Sequence, residues 1–315
     1  DGISDRSIPK RRKLIENSLL VIRYTAAFAI GSFLNDTPTP LTRTEDKSIF
    51  ASMKVHDYRC LWIGMLASAF ALNMQLVAQG WLVYEMTSSA INLTWVTLSF
   101  MLPQVVFSLL GGVLADRVRK KPLIGWTPVI NGVATLAMGG VIMSGHVTFW
   151  DFIWVGALNG TVLSLSIPAR TALIPEVVGE PLMFNAMAFN TASWNLSRIL
   201  GPALAGFMIA IFADGDTSST FGVGLVYFLL SILYFISALS ILFLKHEGRP
   251  VPGERKSPMA ETADGLRYVM NSPVVGGLIL LSIMPFLFGL TINTLLPAFS
   301  TDVLQGGPDD LGFLM

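Results

Sequence analysis

The sequence predicts an all-α polytopic membrane protein, and three observations carry that prediction. Of its 315 residues, 52% are hydrophobic and only 13% are charged, where soluble domains carry about 25% charged residues. Apolar stretches of about 20 residues, each long enough to cross roughly 30 Å of hydrocarbon as a helix, recur from position 61 onward. Lysine and arginine crowd into alternate connections between these stretches and are missing from the others, the bias that orients membrane helices. Formal net charge is zero, with 21 cations and 21 anions, so nothing in the balance points to nucleic acid.

Residues 1–52 read as an N-terminal extension, disordered or interfacial. Lys10, Arg11, Arg12 and Lys13 precede an apolar run, 14–34, that Glu16, Asn17 and Arg23 interrupt. A signal peptide would have an unbroken run and a cleavage site. An extra span would put Arg43, Lys47, Lys54 and Arg59 outside, against the positive-inside rule. Upstream sequence foreign to the protein is the remaining reading, with Met53 as the start.

The first predicted span, 61–83, carries Gln75 and Gln79 four apart on one face with Ser68 and Leu72. Amides in a membrane helix seek protein or water, so helix-to-helix hydrogen bonding and cavity lining weigh equally for each. The second span, 95–114, contains Gln104 beside Pro103, which removes a backbone hydrogen bond and bends the helix. A charged loop within 111–123 follows, with Arg117, Arg119, Lys120 and Lys121 inside five positions. Such a loop resists translocation and marks its face as cytoplasmic.

The third span, 123–143, ends in a short turn, and the fourth, 152–167, contains Asn159 and Gly160. Residues 168–175 read as a cytoplasmic link, and a fifth span reaches position 211. There Thr191, Asn195 and Arg198 follow at four and three residues, giving that helix one polar face. A lone cation in mid-span costs about 2.5–3.5 kcal/mol, so Arg198 must face water, a carboxylate or the bundle interior. The sixth span, 222–244, is nearly featureless and lipid-like. Cations and prolines in 245–273 indicate a cytoplasmic linker, a seventh span covers 274–296, and an eighth barely begins. The segments 86–91, 145–151, 213–221 and 297–310 contain no Lys or Arg, so moving the register by one span would invert the bias. Residue 1 is Asp and the chain stops at Met315 inside an apolar stretch, so it reads as truncated, ending one to two helices into a second bundle.

The order Gly112, Leu114, Ala115, Asp116, Arg117, Lys120, Lys121, between spans two and three, resembles the signature loop of the major facilitator superfamily. Arg119 stands where that family usually has glycine. The run 77–87, Val-Ala-Gln-Gly-Trp-Leu-Val-Tyr-Glu-Met-Thr, and the run 168–206 resemble its drug and siderophore exporter branch, with macrolide and enterobactin exporters. Gly201, Pro202 and Gly206 resemble the antiporter signature of helix five, while Gly156 stands where many antiporters have a proton-coupling arginine.

The resemblance implies a major facilitator fold. Residues 53–244 would form the N-terminal six-helix bundle, 245–273 the linker, and 274–315 the start of the second bundle. It implies a secondary active exporter of small amphipathic molecules working by alternating access, with protons as the coupling ion. The substrate cavity would be lined by Gln75, Gln79, Gln104, Asn159, Asn195 and Arg198. The gating loop would comprise Gly112, Asp116, Arg117, Arg119, Lys120 and Lys121. No acidic residue lies deep in a span between 61 and 296, so the proton carrier would be a peripheral carboxylate such as Glu85 or Asp57, or lie past Met315, or the coupling differs.

Further expectations are membrane lipid as surroundings, a monomer in the inner or plasma membrane, and a cytoplasmic N-terminus. An uptake symporter, or a transport-inactive scaffold or receptor on the same fold, is the alternative. An enzyme is not expected. The histidines, His56, His146 and His246, are scattered, and Cys60 is the single cysteine. No metal or cofactor is implied, and no Gly-x-x-x-x-Gly-Lys-Ser/Thr loop for a nucleotide occurs.

Overall fold

A computed structural model describes residues 48–212, 220–248, 265, 267–304, 311 and 314, and every regular element among them is helical. A short 3-10 turn at Ser52–Lys54 leads into α1 (His56–Thr87), α2 (Ala90–Arg117), α3 (Lys120–Met143), α4 (Phe149–Val178), α5 (Glu180–Phe212), α6 (Thr220–Leu242) and α7 (Pro273–Asp302). Six of these, α1 to α6, are long and apolar enough to cross a membrane. The 24 residues of α3 span about 36 Å and the 33 of α5 about 50 Å, so the helix ends pass beyond the hydrocarbon. The extension up to residue 47, the linker segment 249–264 and the side chains of 283–294 lie outside the described residues.

Local chemistry sets the helix boundaries. Ser88 closes α1 with φ of 46°, and Gly145, at φ 73°, makes the turn after α3 that a side chain would strain. At the start of α4 the Thr148 backbone N–H and hydroxyl both donate to Asp151 Oδ2, at 2.7 and 2.8 Å, within a capping box.

Two expectations about the spans need correction. Residues 168–175 are not a link, because α4 continues unbroken through Pro168 and Pro175 to Val178. Ala169, Leu173, Ile174 and Val178 are buried, the last three against the cluster of Tyr58, Leu61 and Ile124 at the charged helix ends. That packing outweighs the backbone hydrogen bonds the prolines remove. Nor is α6 lipid-like all round: Val226, Tyr227, Leu230 and Tyr234 repeat at helical spacing and are buried.

The packing follows an exchange rule. α2 packs along α4 and α1 along α5; α3 meets α4 and α1 meets α6; α3 and α6 meet each other. Swapping α1–α3 for α4–α6 maps these pairs onto themselves, as two inverted three-helix repeats would. Small residues permit the closest approaches. On α4, Gly156, Gly160 and Ser164 repeat every four residues along α2. A Cβ on Gly160 would lie 2.0 Å from the Phe100 carbonyl oxygen, and one on Gly111 2.2 Å from that of Ser164. On α5, Ser197, Gly201 and Ala205 form the matching stripe against α1: a Cβ on Gly201 would lie 2.9 Å from Asn73 Cβ, and Asn73 Nδ2 donates to Ser197 Oγ at 3.2 Å.

Large apolar side chains such as Trp95, Val105, Ile199 and Leu239 point outward, as helices solvated by lipid permit. Residues 48–52 join the bundle at the start of α5. Asn185 donates to the Ile49 carbonyl at 2.7 Å and accepts from the Ser52 N–H at 3.1 Å.

Candidate functional site

A cavity of about 370 Å³ opens among α1, α3, α4, α5 and α6. Its lining on α1 (Met65 to Leu72), α3 (Thr127 to Asn131) and α4 (Asn159 to Thr171) sits 7 to 19 residues from the charged helix ends. At helical rise that is about 10–28 Å deep, the middle of the bundle. The wall mixes apolar groups, including Leu163, Ile167 and Trp194, with polar ones from each contributing helix.

Two of the six expected cavity residues reach this space. Asn159 lines it and is 2% exposed, and Asn195 lines it while its Nδ2 donates to the Thr191 carbonyl at 3.0 Å. Gln75 is buried just behind the wall, where its Oε1 accepts from the Tyr234 hydroxyl at 3.5 Å. Gln79 is half-buried, two turns beyond the lining residue Leu72. Gln104 is half-buried on α2, which contributes no lining residue, and Arg198 is exposed one turn beyond Trp194 and Asn195. Of the polar face Thr191, Asn195, Arg198, the first two therefore line the cavity.

Sequence reasoning missed Arg170, Asn131 and Tyr234. Arg170 was taken with the supposed link; in α4 it enters the cavity, where Nε donates to Ser166 Oγ at 3.1 Å and Nη1 to Ser68 Oγ at 2.9 Å. The run Ala169, Leu173, Ile174, Val178 was the signal that α4 continued past it. Tyr234 had its signal in the spacing from Tyr227 by two helical turns, which puts both on one face of α6. Asn131 stood alone in an apolar stretch and gave no partner to look for.

The gating-loop residues divide at the charged ends of the helices. Lys120, 1% exposed, donates to Glu176 Oε1 at 2.6 Å, joining α3 to the end of α4. Lys121 Nζ donates to the Leu244 carbonyl at 2.5 Å, and Arg119 pairs with Glu247 at 2.9 Å. The backbone N–H groups of Lys120 and Lys121 donate to the carbonyls of Gly248 and Glu247. Gly248 has φ of 65°, and a Cβ there would stand 2.8 Å from that of Lys120.

Asp57, at the head of α1, accepts the N–H groups of Lys245 and His246 at 3.2 and 2.8 Å, and His246 Nε2 lies 3.3 Å from Glu176 Oε2. The segment following α6 is thereby clasped to α1, α3 and α4. Asp116 is exposed, Arg117 half-buried, and Gly112 has open space where a Cβ would be. Gly201, Pro202 and Gly206 are all buried, with Gly201 against α1.

At the opposite end α7 closes on α1. The Tyr84 hydroxyl donates to Asp302, and a Cβ on Gly80 would meet Pro297 at 3.2 Å. Toward the charged end, Val274, Leu278 and Leu281 of α7 are exposed.

The profile of the family described as transmembrane secretion effector, within the major facilitator superfamily, matches residues 47–315. The enterobactin exporters EntS of Shigella boydii serotype 18 and of Escherichia coli O1:K1 / APEC are each 27% identical over 267 residues, covering 83% of this chain and 60% of theirs. YfiS, an uncharacterized MFS-type transporter of Bacillus subtilis (strain 168), is 24% identical over 196 residues, 61% of this chain and 44% of its own. The chain thus spans about half the length of these curated relatives.

Proposed function

The chain belongs to the transmembrane secretion effector family of the major facilitator superfamily, and we propose that it exports small amphipathic molecules by alternating access. The observation that carries this is the mixed polar and apolar cavity at mid-depth, framed by helices that pack as two exchanged triplets. Such a space gives an amphipathic solute apolar wall and polar partners at once. Relatives named as exporters support the outward direction. The buried Gly201 and Pro202 of the antiporter-like run, and the resemblance, support proton antiport.

Residues 53–244 act as one bundle, 245–273 as the linker and α7 as the first helix of the second bundle. Arg198, Gln79 and Gln104 face that second bundle and complete the substrate path. The cation-rich helix ends and the N-terminus lie in the cytoplasm, a reading that the positive-inside rule supports. The protein works as a monomer in the inner or plasma membrane. With α1 and α7 joined near Tyr84 and Asp302, the cavity opens toward the charged end. Lys120, Glu176 and Asp57 hold the linker while Asp116 stays exposed to engage the other bundle.

The full chain, reconstituted in vesicles under an imposed pH gradient, is expected to move an amphipathic dye, and an uncoupler should stop the movement. Asp116→Asn and Arg198→Ala are each expected to cut the flux at least about tenfold at unchanged yield. Flux equal to that of protein-free vesicles would refute transport, and flux indifferent to the uncoupler would refute proton coupling.

A further inference from the structure

Among the described residues, no acidic group neutralises the positive charge that Arg170 brings into the cavity. Arg170 enters the cavity from α4 and donates to the neutral hydroxyls of Ser166 and Ser68. A guanidinium keeps its charge under all ordinary conditions, and its planar fork carries more N–H groups than these two acceptors use. Away from bulk water such a charge attracts an anion far more strongly than it would at a surface.

Two further groups in the same cavity are incomplete. Asn131 and Asn159, 4% and 2% exposed, each have a side-chain Oδ1 with no hydrogen-bond partner. Buried polar atoms in folded proteins almost always have partners, so two unpartnered amide oxygens in the same cavity as an unneutralised cation mark a place that a ligand completes. Met65, Leu72, Leu163, Ile167 and Trp194 give the same cavity an apolar stretch of wall. An inorganic ion would answer the arginine and leave that wall facing water.

We propose that this cavity selects amphipathic organic anions, with the anionic group on Arg170, hydroxyl or amide groups on Asn131 and Asn159, and an apolar ring system against Ile167 and Trp194. The cavity volume, about 370 Å³, falls among small-molecule sites, which run about 300–1,000 Å³. Charge-assisted, planar contact with a guanidinium is the strongest polar recognition available to a carboxylate or sulfonate. Ser68 and Ser166 act as positioning residues that fix the plane of the fork. The proposal rests on the export reading for the cavity's role as the transport site, not for its ligand chemistry.

Binding by the full chain in lipid nanodiscs, read by equilibrium dialysis against empty nanodiscs, tests it with two probes of one shape, naphthalene-2-carboxylate and naphthalene-2-carboxamide. The carboxylate is expected to bind at least about tenfold more tightly than the amide. Arg170→Gln should bring the ratio near one, while Arg170→Lys, which keeps a charge without the fork, should retain part of it. Equal binding of the two probes by the unmodified protein would overturn the proposal, even where vesicle flux of a neutral dye upholds export. A clear preference for the carboxylate in a protein that shows no flux would sustain the anion site and refute export.

Discussion

Gly160→Ala is expected to strip most of the folded protein from the membrane. The added Cβ would stand 2.0 Å from the Phe100 carbonyl oxygen, and the atom it meets is backbone, so no side-chain rotation relieves it. α2 and α4 would have to part along the whole stripe that Gly156, Gly160 and Ser164 form. Overpacking a close-packed interior costs about 1–3 kcal/mol and more where the backbone must move; here the cost should lie at or above the top of that range. Gly140→Ala is the matched control, since nothing lies within 4 Å of a Cβ at that position in α3. Replacing a helical glycine by alanine in open space is neutral or stabilising by up to about 1 kcal/mol. Monodisperse yield and thermal aggregation of the two variants, in one detergent, check both statements together. Equal behaviour would mean that the α2–α4 interface is not where the bundle is tightest.

Glu176→Gln carries the second large effect. Lys120 is 1% exposed and its ammonium donates to Glu176 at 2.6 Å, while the carboxylate is 30% exposed. Removing one partner of a buried ion pair costs about 3–5 kcal/mol, much of it the penalty of a buried charge left uncompensated. The partial exposure of Glu176 puts the expected loss near the lower figure, about 3 kcal/mol, or a fall of roughly 5 °C in apparent melting temperature. Lys120→Met added to Glu176→Gln should recover part of that loss, because the buried charge that the carboxylate balanced is then gone as well. A double-mutant cycle separates this from simple damage. Additive losses would show that Lys120 and Glu176 do not act as a pair. The same substitution loosens the segment after α6, since His246 contacts the other Glu176 oxygen.

The spans were legible because lipid imposes the strictest rule a sequence can obey. Every backbone group must pair within the helix, so apolar runs and cation-rich connections leave few alternatives. Lys120 and Lys121 declared their end of the bundle by charge alone, although which oxygens they would meet depended on Glu176 and residues 244–248 arriving from elsewhere in the chain. Pro168 and Pro175 misled in the opposite direction. Each forfeits a backbone hydrogen bond, and local reasoning ends a helix there, but burial of Leu173 and Ile174 keeps α4 intact.

That single misreading also hid Arg170, since a cation in a loop is unremarked and the same cation inside a helix demands an explanation. Gly156 shows the other limit. It was read as an arginine's absence, yet its position every fourth residue with Gly160 and Ser164 makes it part of an interface whose partner, α2, no local pattern could name. Asn159 and Asn195 were found as polar groups in apolar helices, and that signal could not tell which of six candidates share one cavity.

Whether water reaches the cavity from the end that bears Arg119 tests the account most directly. Thr191 lines the cavity and is exposed within it, so a Thr191→Cys variant on a Cys60→Ser background can be treated with a membrane-impermeant thiol reagent from either side of sealed vesicles. The account predicts modification from the Arg119 side, slowed when a transported compound is present. Modification from the Tyr84 side alone, or only by reagents that dissolve in the bilayer, would contradict it.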